Sequence, residues 1–159
     1  MREADSQLSY RKASLNDLPK IIALLADDEL GKTREQSEAI LDPAYTEAFH
    51  KIDADPNQFL MVVEDDADIV GTCHLTLMPS LTFRGATRLQ VEAVHVASDR
   101  RSQGIGAWML KAAIAYGKAH DARMVQLTTN KKRTRAKAFY ERLGFIASHE
   151  GMKLLIRDK

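Results

Sequence analysis

The sequence predicts a mixed α/β domain built on a central sheet of about six or seven strands with helices on both faces. Short runs with a two-residue apolar alternation take turns with stretches whose apolar residues recur every three or four positions. The first half reads as a strand, helices and an antiparallel hairpin, and the second half as strand-helix-strand-helix-strand, an order that requires at least one parallel pairing. A chain of 159 residues, 45% hydrophobic and 28% charged, suits one packed domain spanning residues 1–159 rather than a disordered chain or a coiled-coil rod.

Leu8 to Ala13 reads as the first strand, and Ser14-Leu15-Asn16-Asp17 has a capping-box pattern that opens a helix carrying Leu18, Ile21, Ile22 and Leu25 on one stripe. A second helical region is expected from Arg34 to Lys51, with an interruption at Pro43, which lacks the donor an interior turn needs. Phe59 to Val63 and Ile69 to Leu77 flank the acidic turn Glu64 to Asp68 as a hairpin. Arg88 to Val96 is a long strand; regular alternation puts Leu89, Val91, Ala93 and His95 on one face and Arg88, Gln90, Glu92, Val94 and Val96 on the other. A helix from Ile105 to about Ala119 follows a polar Gly-containing turn, then a strand over Met124 to Thr129. Ala136, Phe139, Tyr140 and Leu143 mark another helix, stopped by Gly144, and strands are expected at Phe145 to Ser148 and Met152 to Ile156.

No apolar run approaches the ~18–20 residues that cross a bilayer, and the N-terminus lacks a signal-peptide stretch, so a cytoplasmic protein is expected. The single cysteine, Cys73, excludes an intrachain disulfide, and with five scattered histidines no metal centre is expected. The net charge of +1 hides a division. Residues 1–98 hold 9 Lys+Arg against 17 Asp+Glu, whereas residues 99–142 hold 11 against 3. The basic segment is either a solvated face or a site for a polyanion.

Within it lies Arg101-Ser102-Gln103-Gly104-Ile105-Gly106, between a strand and a helix. Two glycines permit close backbone approach, and the unpaired N–H groups of a helix's first turn favour an anion. A dinucleotide fingerprint would need Gly or Ala where Met109 stands, and a P-loop would need Gly-Lys-Ser/Thr where Gly106-Ala107-Trp108 stands; both are excluded.

The turn resembles the signature of the GCN5-related N-acetyltransferase (GNAT) superfamily: Arg or Gln, two residues, Gly, one residue, Gly or Ala, here Arg101, Gly104 and Gly106. The resemblance extends through Glu92-Ala93-Val94-His95-Val96 before the turn and Ala136 to Phe145 after it, about the C-terminal half of the chain. One position departs from the family pattern, Arg133 standing where Asn is frequent, with Asn130 nearby but out of register.

The resemblance implies the acyl-CoA N-acyltransferase fold and acetyl-coenzyme A as co-substrate. It puts the pyrophosphate on the backbone of Gln103, Gly104, Ile105 and Gly106, beside Arg101 and Ser102. The pantetheine arm then runs along Val94 and Val96, with Arg133 and Phe139 as further contacts. It also makes the Val94 N–H the polarising donor for the thioester carbonyl. Tyr140 becomes the general acid, since a phenol of reference pKa near ~10 matches a thiolate leaving group. Glu92 is a candidate base, the alternative being an ion pair with Arg88 or Arg101. His74, His95 and the core-facing Cys73 read as structural, so direct transfer in a ternary complex is expected. The acceptor implied is a primary amine of a small molecule or peptide, drawn by the acidic N-terminal half. A homodimer is compatible with the sequence. Nucleic acid is disfavoured because the basic residues are not interleaved with exposed aromatics. The competing reading is a non-catalytic acyl-coenzyme A sensor or interaction module.

Overall fold

The computed structural model describes residues 7–27 and 42–157, which fall into two compact units, Met1–Gln126 and Leu127–Lys159. The first unit runs β1 (Leu8–Lys12), a single 3-10 turn (Leu15–Asp17), α1 (Leu18–Ala26), α2 (Pro43–Ala54), β2 (Gln58–Asp65), β3 (Asp68–Met78), β4 (Thr87–Val96), α3 (Ile105–Ala119) and β5 (Ala122–Gln126). The strands form one sheet in the order β1-β2-β3-β4-β5, antiparallel except for the parallel pair β4–β5. This is the mixed α/β architecture read from the sequence, with five strands among the described residues rather than six or seven.

Local chemistry sets the boundaries. The Ser14 N–H donates to Asp17 Oδ2 (2.7 Å), closing the expected cap. Arg11 then bridges Asp17 (2.7 Å) and Glu64 (2.9 Å), tying the entry of α1 to the sheet and holding the Asp17 carboxyl down at about 2. Pro43 occupies the first turn of α2, where its missing N–H has no partner to lose, behind Asp42, whose Oδ1 accepts from the Ala44 N–H (2.8 Å). Residues 34–41 of the expected second helix lie outside the described residues. The β2–β3 hairpin turns at Asp66 and Ala67, both at positive φ.

Both faces of the sheet carry helices. Leu75, Leu89 and Val91 share one face with α3, where Gly117 lies close to Leu89 and Tyr116 packs 4.9 Å from the Phe59 ring. On the other face Leu60 and Val62 join Ala13, Leu18, Ile21, Ile22 and Phe49 in a cluster under α1 and α2. Each of the larger side chains so buried contributes ~1.5–3 kcal/mol. Among the described residues no helix is long and apolar enough to cross a membrane.

In the second unit, α4 (Thr134–Arg142) ends at Gly144, whose φ of 98° suits glycine alone. The strands expected at Phe145 to Ser148 and Met152 to Ile156 do not form. Ile146, Met152, Leu154, Leu155 and Ile156 are 76–92% exposed in a segment with no ladder, and strand propensity has no effect without a partner strand.

Candidate functional site

The site-bearing part of the first unit begins with an irregularity in β4. His74 pairs with Glu92, yet Thr72, two residues back, pairs with His95, so β4 holds one extra residue at this point. The extra residue is accommodated at Ala93, which has φ of 51°, a left-handed conformation costly for any residue with a Cβ. The bulge reverses the alternation. His95 comes onto the face of Thr72 and His74, which is also that of Glu92, and Val94 and Val96 leave it. This corrects the two faces read from regular alternation. The sequence did hold a signal: the apolar positions change from Leu89 and Val91 to Val94 and Val96, a switch of parity.

A second feature coincides with the first. The parallel pairing of β4 with β5 ends at Gln90↔Gln126, whereas β4 continues to Val96. The backbone of Val91 to Val96 is therefore unpaired with β5 on that edge, and the Val94 peptide lies in the stretch so released.

The third feature is the turn into α3. Ser102 (φ 63°) and Gly104 (φ 82°) both turn left-handed, and Gly104 caps the helix without any side-chain acceptor. The first helical bond runs from the Trp108 N–H to Gly104 O (3.0 Å), which leaves the N–H groups of Ile105, Gly106 and Ala107 without a helical partner at the positive end of a 15-residue helix. The Ile105 side chain is buried in the core, so only its backbone faces this role. Arg101 staples the turn, donating to Asp27 O (3.1 Å) and Val96 O (3.4 Å), and Gln103 Nε2 donates to Asp99 O (3.4 Å). Arg100 is engaged by Asp65 of the β2–β3 hairpin. The cradle is thus a fixed loop of backbone donors that a Cβ at Gly104 would disturb, and its residues fit a phosphorylated acyl carrier.

Glu92 is exposed, and among the described residues no ion pair joins it to Arg88 or Arg101. His74, its cross-strand neighbour, donates from Nε2 to Gln58 Oε1 (2.7 Å), which leaves Nδ1 as the ring's acceptor; burial pushes its pKa down, against the pull of Glu92. Cys73 is fully buried beside Met61, and burial pushes its thiol up to about 12, far from a nucleophilic thiolate. Among the described residues no cluster of three or more His, Cys, Asp or Glu could hold a metal ion.

In the second unit Arg133 caps α4, and Phe139 and Tyr140 lie half-buried on it, Tyr140 making edge contacts with Phe139 (5.2 Å) and Phe145 (5.9 Å) between ring centres. The sequence candidates are accordingly distributed: Glu92, Val94, Val96 and the Arg101 to Gly106 turn in the first unit, and Arg133, Phe139 and Tyr140 in the second. Ala93 and Arg88 were not among them.

A family model described as the acetyltransferase (GNAT) family matches residues 21–145. A mycothiol acetyltransferase of Acidimicrobium ferrooxidans is 29% identical over 103 residues, which is 65% of this chain and 32% of that protein. The chain thus spans about a third of the length of that curated relative. Among solved structures, a transcriptional regulator from Bacillus halodurans C-125 is 41% identical with a TM-score of 0.91, covering 94% of this chain and 99% of that one. A protein named as a putative acetyltransferase, from Agrobacterium tumefaciens str. C58, is 25% identical with a TM-score of 0.81, covering 92% of this chain and 99% of that one.

Proposed function

The chain belongs to the GNAT acetyltransferase family, and on that premise we propose that it transfers an acetyl group from acetyl-coenzyme A to a primary amine of a small molecule or peptide by direct attack in a ternary complex. The observation that carries this reading is the parting of β4 from β5 beyond Gln90, which releases the Val94 backbone beside the donor-rich start of α3. The family match crosses the boundary at Gln126, which supports one functional domain over residues 1–159.

Acetyl-coenzyme A supplies the activated acetyl thioester. The backbone N–H groups at Gln103 to Gly106 hold its pyrophosphate, and Arg101 fixes the loop that presents them. Val94 and Val96 lend their backbone to the pantetheine arm, Arg133 and Phe139 adding contacts. The Val94 N–H donates to the carbonyl oxygen as negative charge develops there. Glu92 takes the proton that the ammonium group must lose before its nitrogen can attack, and Tyr140 gives a proton to the departing sulfur. Burial of Cys73 in its neutral form supports transfer without an acyl-enzyme.

The test is a pair of pH profiles at limiting amine. Wild-type rate should rise with pH as the acceptor's ammonium group gives up its proton more readily, and Glu92→Gln should flatten that rise and slow the reaction near neutrality. Superimposable profiles would remove Glu92 from the mechanism. A second reading, an acyl-coenzyme A-responsive regulator, draws support from the name borne by the 41% identical Bacillus halodurans protein; it predicts cofactor binding with no turnover of any amine. The proposal extends to a cytoplasmic location, tested by fractionation. It also extends to a homodimer, supported by the exposed apolar residues Ile146, Met152, Leu154, Leu155 and Ile156 and tested by light scattering.

A further inference from the structure

Arg88 stands near the start of β4, opposite Met78 of β3 and Met124 of β5. Its Nε is shut off from solvent and has no hydrogen-bond partner. Among the described residues no ion pair reaches this guanidinium. Buried donors are normally satisfied, and a partly desolvated cation without an anion is costly, so the residue needs an explanation.

The register of the sheet supplies its surroundings. Arg88 shares a face with Gln90 and Glu92 of β4, with His74 and Thr76 of β3, with Gln58 of β2 and with Gln126 of β5. All but Glu92 are half-buried. The amides and the imidazole between the two charges are already paired: Gln126 Nε2 donates to Gln90 Oε1 (2.8 Å), and Gln58 Oε1 accepts from His74 (2.7 Å). The strip therefore has a carboxylate at one end, an unpaired guanidinium at the other, and a hydrogen-bonded amide floor between them.

We propose that this strip is the acceptor subsite and that the acceptor is an amine bearing a second, anionic oxygen group, a carboxylate or phosphonate, which pairs with Arg88 while the amine lies at Glu92. Arg88 is then a specificity-determining residue. The proposal rests on the acetyltransferase reading of Glu92. Four residues along a strand separate the two Cα atoms by ~13 Å, a span that calls for an acceptor with several bonds between its amine and its anion. An α-amino acid is too short, whereas an ω-amino acid or an aminoalkylphosphonate fits. A planar guanidinium whose terminal nitrogens are not sealed off, as Nε is, suits two-point pairing with either oxyanion.

Steady-state kinetics at saturating acetyl-coenzyme A with ε-aminocaproate, aminopentylphosphonate and pentylamine tests this in wild type, Arg88→Met and Arg88→Lys. Wild type should prefer at least one anionic amine to pentylamine in kcat/KM by roughly tenfold or more, the scale of one charge-assisted hydrogen bond, and the better of the two identifies the oxyanion. Arg88→Met should erase the preference by raising KM for the anionic amine, with kcat and all constants for pentylamine within about twofold; Arg88→Lys should restore part of it. Equal losses on all three amines would make Arg88 a structural residue and overturn the proposal, as would no loss at all. If Arg88→Met does not fold, Arg88→Gln takes its place. If wild type acetylates none of the three, calorimetry with ε-aminocaproate and aminopentylphosphonate separates the two ideas: binding that depends on Arg88 keeps the subsite while the transfer reading fails, and absence of such binding overturns the subsite.

Discussion

Gly104→Val perturbs the cradle at the residue that shapes it. Gly104 has φ of 82° and ψ of 1°, so a side chain there costs ~1–2 kcal/mol of backbone strain, with a β-branched residue toward the upper end. For a chain of this size each kcal/mol lowers the melting temperature by ~2–4 °C, giving an expected drop of about 2–8 °C if the strain is borne. Relief of that strain would re-aim the N–H groups of Ile105 and Gly106, which are the proposed pyrophosphate donors. Loss of at least tenfold in acetyl-coenzyme A affinity is expected, equivalent to ~1.4 kcal/mol. Gly144→Val is the matched control: φ there is 98°, a Cβ meets nothing within 4 Å, and the strain is comparable but far along the sequence from the cradle. Calorimetry on both variants, with melting curves alongside, separates strain from binding. A Gly104→Val protein that melts lower yet binds acetyl-coenzyme A as tightly as wild type would remove the turn from the pyrophosphate site.

Tyr140→Phe should keep acetyl-coenzyme A affinity and lower kcat by ~10²-fold, the usual scale for loss of a general acid; a kcat within a few-fold of wild type would return Tyr140 to its aromatic packing role. Asp17 carries a carboxyl held at about 2, chiefly by its hydrogen bond from Arg11, against an ordinary 3.8, so its stabilisation is present in full above pH 3.8 and is lost as pH falls toward 2. Asp17→Asn should therefore lower stability near neutrality by about 1–2 kcal/mol, a figure discounted because Arg11 is 41% exposed, and should flatten the acid limb of the stability profile measured by urea titration.

The fold was legible where one residue type had one physical use. The Ser14 to Asp17 cap, the glycine that ends α4 and the parallel strand-helix-strand order all followed from local chemistry that tertiary contacts then reinforced. At Pro43 the missing donor marked a boundary in the sequence, and the cap that makes it a helix start, Asp42, lies just before it. The strands expected after Gly144 rested on apolar composition alone, and composition does not supply a ladder partner. Within the candidate site, the Gly-containing turn was visible because Gly104 needs its left-handed φ. Ala93 was not, since alanine has no preference for that conformation; only the parity switch from Leu89 and Val91 to Val94 and Val96 betrayed the bulge. Arg88 was invisible as an acceptor contact, because an orphaned Nε is a property of packing and leaves no mark on the sequence.

Acetyl transfer from acetyl-coenzyme A to an amine is decided by mass spectrometry of the products formed by purified wild-type protein. A panel of aliphatic amines, amino acids, aminoglycosides and peptides is incubated with acetyl-coenzyme A, with the free thiol released measured in parallel. At least one N-acetylated product should form in equal amount to the released thiol, and both should be lost in Gly104→Val. Tight binding of acetyl-coenzyme A with no acetylated product and no thiol release from any amine would mean that the protein is not an acetyltransferase for amines.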